Sequence, residues 1–123
     1  MKLRFRKNSL RLRVNQSEVG ALATGACLKE EVHFPGGTSL TYVLQALPEP
    51  SPRADFQSGT IRVTAPSNEV AEWASTDVIG LYFELNASGE PLKIAIEKDL
   101  VCIDGPPDER DPDAFPRAEA SLC

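Results

Sequence analysis

Arg13-Val14-Asn15-Gln16-Ser17-Glu18-Val19-Gly20-Ala21-Leu22-Ala23-Thr24 and Arg62-Val63-Thr64-Ala65-Pro66-Ser67-Asn68-Glu69-Val70-Ala71-Glu72-Trp73-Ala74-Ser75 read as two copies of one pattern. With a two-residue insertion in the second copy, each runs from Arg-Val through a serine and Glu-Val to Ala-Thr or Ala-Ser. In both, an alternating strand leads into a short amphipathic helix and then into another apolar strand. A further strand precedes each copy, so the chain reads as two β-β-α-β blocks in tandem. Repetition of this kind turns a list of short elements into an architecture.

Working outward, Leu3, Phe5, Leu10, Leu12 and Val14 alternate with Arg and Lys around a Lys7-Asn8-Ser9 turn. Residues 2–14 are thus expected as a β-hairpin with one apolar and one basic face. Asn15 and Glu18 form a capping-box signature, which predicts a helix over 16–24 that buries Val19 and Leu22 and ends at Gly25. Strands are expected at 27–34 and 39–47, the second with Leu40, Tyr42 and Leu44 on one face. Pro48, Pro50 and Pro52 mark 48–58 as a loop excluded from a sheet interior. Beyond it come a strand at 60–64 with Ile61 and Val63 inward, and a helix at 67–75 burying Val70 and Trp73. An apolar strand at 78–85 then turns through 86–90 into a last strand running to about 103. Trp73 and Val70 match Leu22 and Val19, and equivalent positions in two repeats argue for core packing.

These elements predict one α+β domain over residues 1–123. Its parts are a first repeat with its following strand (1–47), the proline loop (48–58), a second repeat with a final hairpin (59–103) and an acidic tail (104–123). The economical closure of so many short strands with two helices is a curled antiparallel sheet or small barrel. Over residues 2–97 the order of elements resembles that of cradle-loop barrels, which are built from duplicated β-β-α-β units. That architecture hosts enzymes, regulators and metal binders alike, so it assigns no function.

At 41% hydrophobic and 25% charged residues the composition is that of a globular protein, and no apolar run reaches the length of a bilayer span. The alternation of Met1-Lys2-Leu3-Arg4-Phe5-Arg6 is unlike the apolar core of a signal peptide, which makes the cytoplasm the expected location. A net charge of −5 argues against general nucleic-acid binding. Charge is unevenly spread, however. Lys2, Arg4, Arg6, Lys7, Arg11 and Arg13 are all basic, whereas 104–123 is mostly acidic. Either the tail folds back to screen the hairpin, with Phe115 as its anchor, or the basic face serves an anionic partner.

The stretch Arg6-Lys7-Asn8-Ser9-Leu10-Arg11-Leu12-Arg13 with Gln16-Ser17-Glu18-Val19 resembles the opening of a family of small uncharacterised bacterial proteins. Glu97-Lys98-Asp99-Leu100-Val101-Cys102 and Asp111-Pro112-Asp113-Ala114-Phe115-Pro116 resemble that family's closing signature, with Leu100 where an aromatic residue is more typical. The resemblance implies no established activity.

Candidate chemistry is sparse. There is no phosphate-cradling glycine loop, no Gly-x-Ser-x-Gly elbow and no Cys-x-x-Cys pair. Three cysteines, an odd number, argue against a disulfide framework. His33, Cys102 and Cys123 could ligate a transition metal ion such as zinc, iron or copper, with Asp104, Asp113 or the terminal carboxylate as a fourth donor. A Cys102–His33 nucleophilic dyad is a further arrangement of the same residues. The plainer reading makes Cys102 a small buried hydrophobe, His33 a hydrogen-bonded strand end and Cys123 a chain terminus. Cys27 is expected in the core. Glu97 and Asp99 alternate onto one face, where they suit either acid–base work or pairing with the arginine row, and the pairing is the simpler use. Two functions follow from the sequence: a non-enzymatic interaction module that meets a protein partner through the basic hairpin, and a small metal-binding protein using His33, Cys102 and Cys123.

Overall fold

The computed structural model describes residues 1–100 and 111–116. Eight strands and two short helices follow in the order β1 (Lys2–Arg6), β2 (Ser9–Val14), α1 (Gln16–Ala23), β3 (Leu28–His33), β4 (Ser39–Leu47), β5 (Arg53–Gln57), β6 (Thr60–Pro66), α2 (Ser67–Ala74), β7 (Gly80–Leu85) and β8 (Leu92–Lys98). The fold is α+β. Its strands form two mixed four-stranded sheets, β1-β2-β8-β7 and β3-β4-β6-β5, which do not close into a barrel.

Each half of the chain is a hairpin, a helix and a second hairpin. The helix carries the chain from one sheet to the other, so each half contributes one hairpin to each sheet. The hairpins are antiparallel, as their turns require. The seams between halves, β2 against β8 and β4 against β6, are parallel. The expected all-antiparallel sheet is corrected at these two seams, because pairing between distant strands leaves no mark on local alternation.

The two halves keep a constant spacing of 51 residues from β1 through α2. Lys7 and Ser58 occupy the same turn position with φ of 51° and 50°. Asn15 and Pro66 cap the two helices, and Ala23 and Ala74 end them. No insertion interrupts this spacing between the halves. Arg62 is the counterpart of Arg11, and Leu10, Leu12 and Val14 match Ile61, Val63 and Ala65. The insertion read from sequence arose from aligning Arg-Val dipeptides whose neighbours lie out of register.

A second correction concerns residues 48–58. The prolines end at Pro52, and Arg53–Gln57 form β5, an edge strand on β6. An edge position tolerates such a neighbourhood because one side of the strand forms no ladder.

One core lies between the sheets and under the helices. Leu10, Leu12, Val14, Ile94 and Ile96 line one inner face, and Leu44, Ala46, Ile61, Val63 and Ala65 line the other. Val19 and Leu22 of α1 and Val70 and Trp73 of α2 close one end, with Trp73 Nε1 donating to the Ile79 carbonyl at 2.9 Å. The opposite end carries the β1–β2 and β5–β6 turns. No helix among the described residues is long and apolar enough to cross a membrane.

Candidate binding face

The register of β1, β2, β8 and β7 fixes the outer face of the first sheet. Arg4, Arg11, Ala95 and Tyr82 fall in one row across it, and Arg6, Ser9, Lys93 and Glu84 in the next. Small residues at Ser9 and Ala95 leave the middle of the sheet low. Arg4, Arg6 and Arg11 on one side, with Tyr82 and Lys93 on the other, enclose a trough of about 430 Å3. Tyr82 lies back along its own strand. A Cβ on Gly80 would sit 2.6 Å from its hydroxyl, so glycine is what lets the ring lie there.

The charges in this face are partly neutralised from within. Glu97 Oε1 lies 3.1 Å from Arg11 Nε and 3.6 Å from Arg13 Nε, and Oε2 accepts from the Tyr82 hydroxyl at 2.8 Å. That hydrogen bond, with burial and the Glu97 charge, raises the Tyr82 pKa above 10.0 against the opposing pull of Arg11 and Arg13. Asp99 pairs with Lys2 at 2.8 Å. Glu97 and Asp99 are thus partners of the basic row. Among the described residues Arg4 and Arg6 have no acidic partner. Arg4 stands directly across from Arg11, and Lys2 across from Arg13, pairings of like charge that destabilise a hairpin unless compensated.

A second cavity, of about 440 Å3, lies between the sheets at the turn end. Phe5 and Phe56, Leu10 and Ile61, and Leu40 and Leu92 line it, three pairs drawn equally from the two halves. Phe5 and Phe56 point to the inner side of edge strands yet remain 57% and 68% exposed.

The helix end is closed differently in the two halves. In α1, Asn15 accepts from the Glu18 N–H at 2.9 Å while Glu18 accepts from the Asn15 N–H at 3.0 Å, the expected capping box. Residues 111–116 dock against this helix start. Asn15 Nδ2 donates to Asp111 at 2.9 Å, and the Ser17 N–H donates to the Asp113 carboxylate at 3.0 Å. The Phe115 N–H donates to the Asp99 carbonyl at 2.7 Å, and the Phe115 ring faces the buried Lys98 ammonium at 5.5 Å. Phe115 therefore anchors this segment, at the helix end and away from Arg4 and Arg6. Opposite it, Pro66 gives α2 no side-chain cap. The Met1 ammonium contacts Glu18 at 2.6 Å and Glu30 at 3.3 Å. Burial lowers its pKa, but the hydrogen bonds and charges of those carboxylates outweigh this and raise it above 8.0.

Of the sequence-derived metal ligands, Cys102, Cys123 and Asp104 lie outside the described residues. His33 ends β3 with its side chain 78% exposed, 3.5 Å from Glu31. It sits at the turn end of the sheet, whereas Asp113 binds the start of α1 at the other end, so the structure does not bring those two together. Among the described residues no three His, Cys, Asp or Glu side chains are grouped to hold a metal ion. Cys27 is a free, exposed thiol and not a core residue, because β3 begins one residue after it.

Tyr82, Lys93 and Ala95 were not among the residues singled out from sequence. They reach the basic face through the parallel β2–β8 seam, whose only sequence trace is the matched alternation of the two strands.

No curated protein and no solved structure matches this sequence. A family model does match it, over residues 1–119, and the chain belongs to that family of unknown function, DUF7009.

Proposed function

We propose that this chain is a small, non-enzymatic binding module whose basic N-terminal hairpin holds an acidic segment of a protein partner. The observation that carries the reading is the row Arg4, Arg6 and Arg11 around the 430 Å3 trough: Arg11 shares Glu97 with Arg13, Glu84 on the far wall lies 4.0 Å from Lys93, and among the described residues neither carboxylate pairs with Arg4 or Arg6. Uncompensated like charges on neighbouring strands oppose folding, and an anionic partner relieves that repulsion. Arginine suits such a role because its planar fork takes a carboxylate through two parallel hydrogen bonds. The acidic balance of the whole chain disfavours a long polyanion and confines attraction to this face. The reading extends to a bacterial origin, supported by the opening and closing motifs, and to an internally duplicated architecture, supported by the two matching halves.

Fluorescence anisotropy with a labelled short oligo-glutamate peptide tests it. The expected result is salt-sensitive binding that Arg4→Ala/Arg6→Ala removes and that Arg53→Ala/Arg62→Ala, on the opposite sheet, leaves in place. Equal loss in both variants, or no binding by the native protein, would overturn it.

A further inference from the structure

We infer that the free edge of β1 accepts an extended segment of the partner as a fifth strand, one that alternates acidic and apolar side chains. This deepens the binding-module reading and rests on it.

β1 is the outermost strand of its sheet, and among the described residues no element pairs with its other side. It also lies between the two cavities. Arg4 and Arg6 line the outer trough, and Phe5 lines the inner pocket. Side chains of a strand point alternately to the two faces of its sheet, so a neighbour added beside β1 would do the same. Its outward residues would stand beside Arg4 and Arg6, which have no acidic partner among the described residues. Its inward residues would meet Phe5 and the edge of the facing sheet. There β3 presents Val32, an inner-face residue left 42% exposed, and the Met1 ammonium contact with Glu30 shows that the β1 and β3 edges lie one above the other. The chemistry required of the occupant is therefore carboxylate on one face and apolar on the other.

The same charges argue against the nearest competitor. A second copy pairing β1 to β1 would set Lys2, Arg4 and Arg6 against one another, a like-charge ladder. A nucleic acid strand would satisfy the arginines but leave Phe5 and Val32 without a complement.

Three capped peptides separate the possibilities: one alternating glutamate and valine, one of identical composition in two blocks, and the alternating one with backbone N-methyl groups on every second residue. Calorimetry gives affinity and amide hydrogen exchange reports on β1. The expected result is about tenfold tighter binding of the alternating peptide than of either control, with slowed exchange across Leu3–Arg6. N-methylation leaves the protein untouched, so its effect cannot come from misfolding. Equal binding of all three without protection of β1 would overturn strand addition while leaving the charge-based module intact. Failure of the alternating peptide to bind, or tighter binding of a DNA oligonucleotide, would also overturn it, and the oligo-glutamate experiment separately decides the module itself.

Discussion

The β1–β2 hairpin and its counterpart β5–β6 share an inner face and differ on the outer one. Inward, Leu10, Leu12 and Val14 match Ile61, Val63 and Ala65, all buried in one core. Outward, Lys2, Arg4, Arg6, Arg11 and Arg13 face Arg53, Asp55, Gln57, Arg62 and Thr64 at the equivalent positions. In the second hairpin Asp55 lies across from Arg62, so that strand pair carries its own compensation. Even Glu97, the carboxylate that Arg11 and Arg13 share, has Gln45 as its counterpart on the opposite sheet. Packing holds both halves to one pattern, because both must fill the same core. The fold places no such demand on the outer charges. Their concentration on one of two equivalent faces is what the fold leaves unexplained, and the proposed binding role rests on it.

If the inner faces are equivalent, damage to either should disturb the whole molecule. Trp73 and Leu22 occupy the same helix position and are both fully buried. Trp73→Ala removes the larger side chain and the donor to Ile79, and the expected cost is about 3–5 kcal/mol. Leu22→Ala is expected to cost about 2–5 kcal/mol. In denaturant titrations both variants should unfold in one transition, because each sheet contains a hairpin from each half. A separate transition for one half would break the equivalence.

That shared core was readable from sequence because burial imposes local periods. Val19 and Leu22, Val70 and Trp73, and the capping residues Asn15 and Glu18 all sit where their spacing places them. The basic face was only half readable. Alternation set Arg4, Arg6, Arg11 and Arg13 on one side of a hairpin, but Tyr82, Lys93 and Ala95 arrive from far along the chain through a parallel seam. β5 was hidden for a different reason: three prolines just before it outweighed a five-residue strand with one apolar pair, Ala54 and Phe56.

The difference between outer faces can be reduced by one substitution. Glu97→Gln gives the basic face the residue its counterpart carries. Arg11 and Arg13 then lose their carboxylate, and the expected cost is about 1 kcal/mol or less, the range of surface ion pairs. A sharper readout is Tyr82, whose hydroxyl donates to Glu97. Without that carboxylate its raised pKa should fall toward the ordinary tyrosine value. The chain has two tyrosines, and Tyr42 is raised by burial and by the charges of Glu30 and Glu18, so its titration should not move. A spectrophotometric titration in which both phenols stay put would show that Glu97 does not organise this face.

The smallest effect concerns the helix ends, where the halves also part. α1 begins on Asn15 with residues 111–116 docked over it, whereas α2 begins on Pro66 with no side-chain cap. The Asn15 side chain and the Asp113 N–H donate to the Asp111 carboxylate and hold its pKa below 3.8. A carboxyl depressed on folding contributes its stability above the unfolded pKa and loses it as pH falls through the lower folded one. The docked segment should therefore be fully held at pH above about 4 and loosen as pH falls below it. Protection of the Gln16 and Ser17 amides, which donate to Asp113, should fall in that range, relative to their intrinsic exchange rates, by more than protection at Ser67 and Asn68. Asp111→Asn should reduce this difference at Gln16, whose acceptor is a carbonyl, since an amide at 111 does not titrate. Equal loss of protection at both helix starts would mean that the two ends respond alike, and that the docked segment adds nothing to α1 beyond the cap that Asn15 and Glu18 already form.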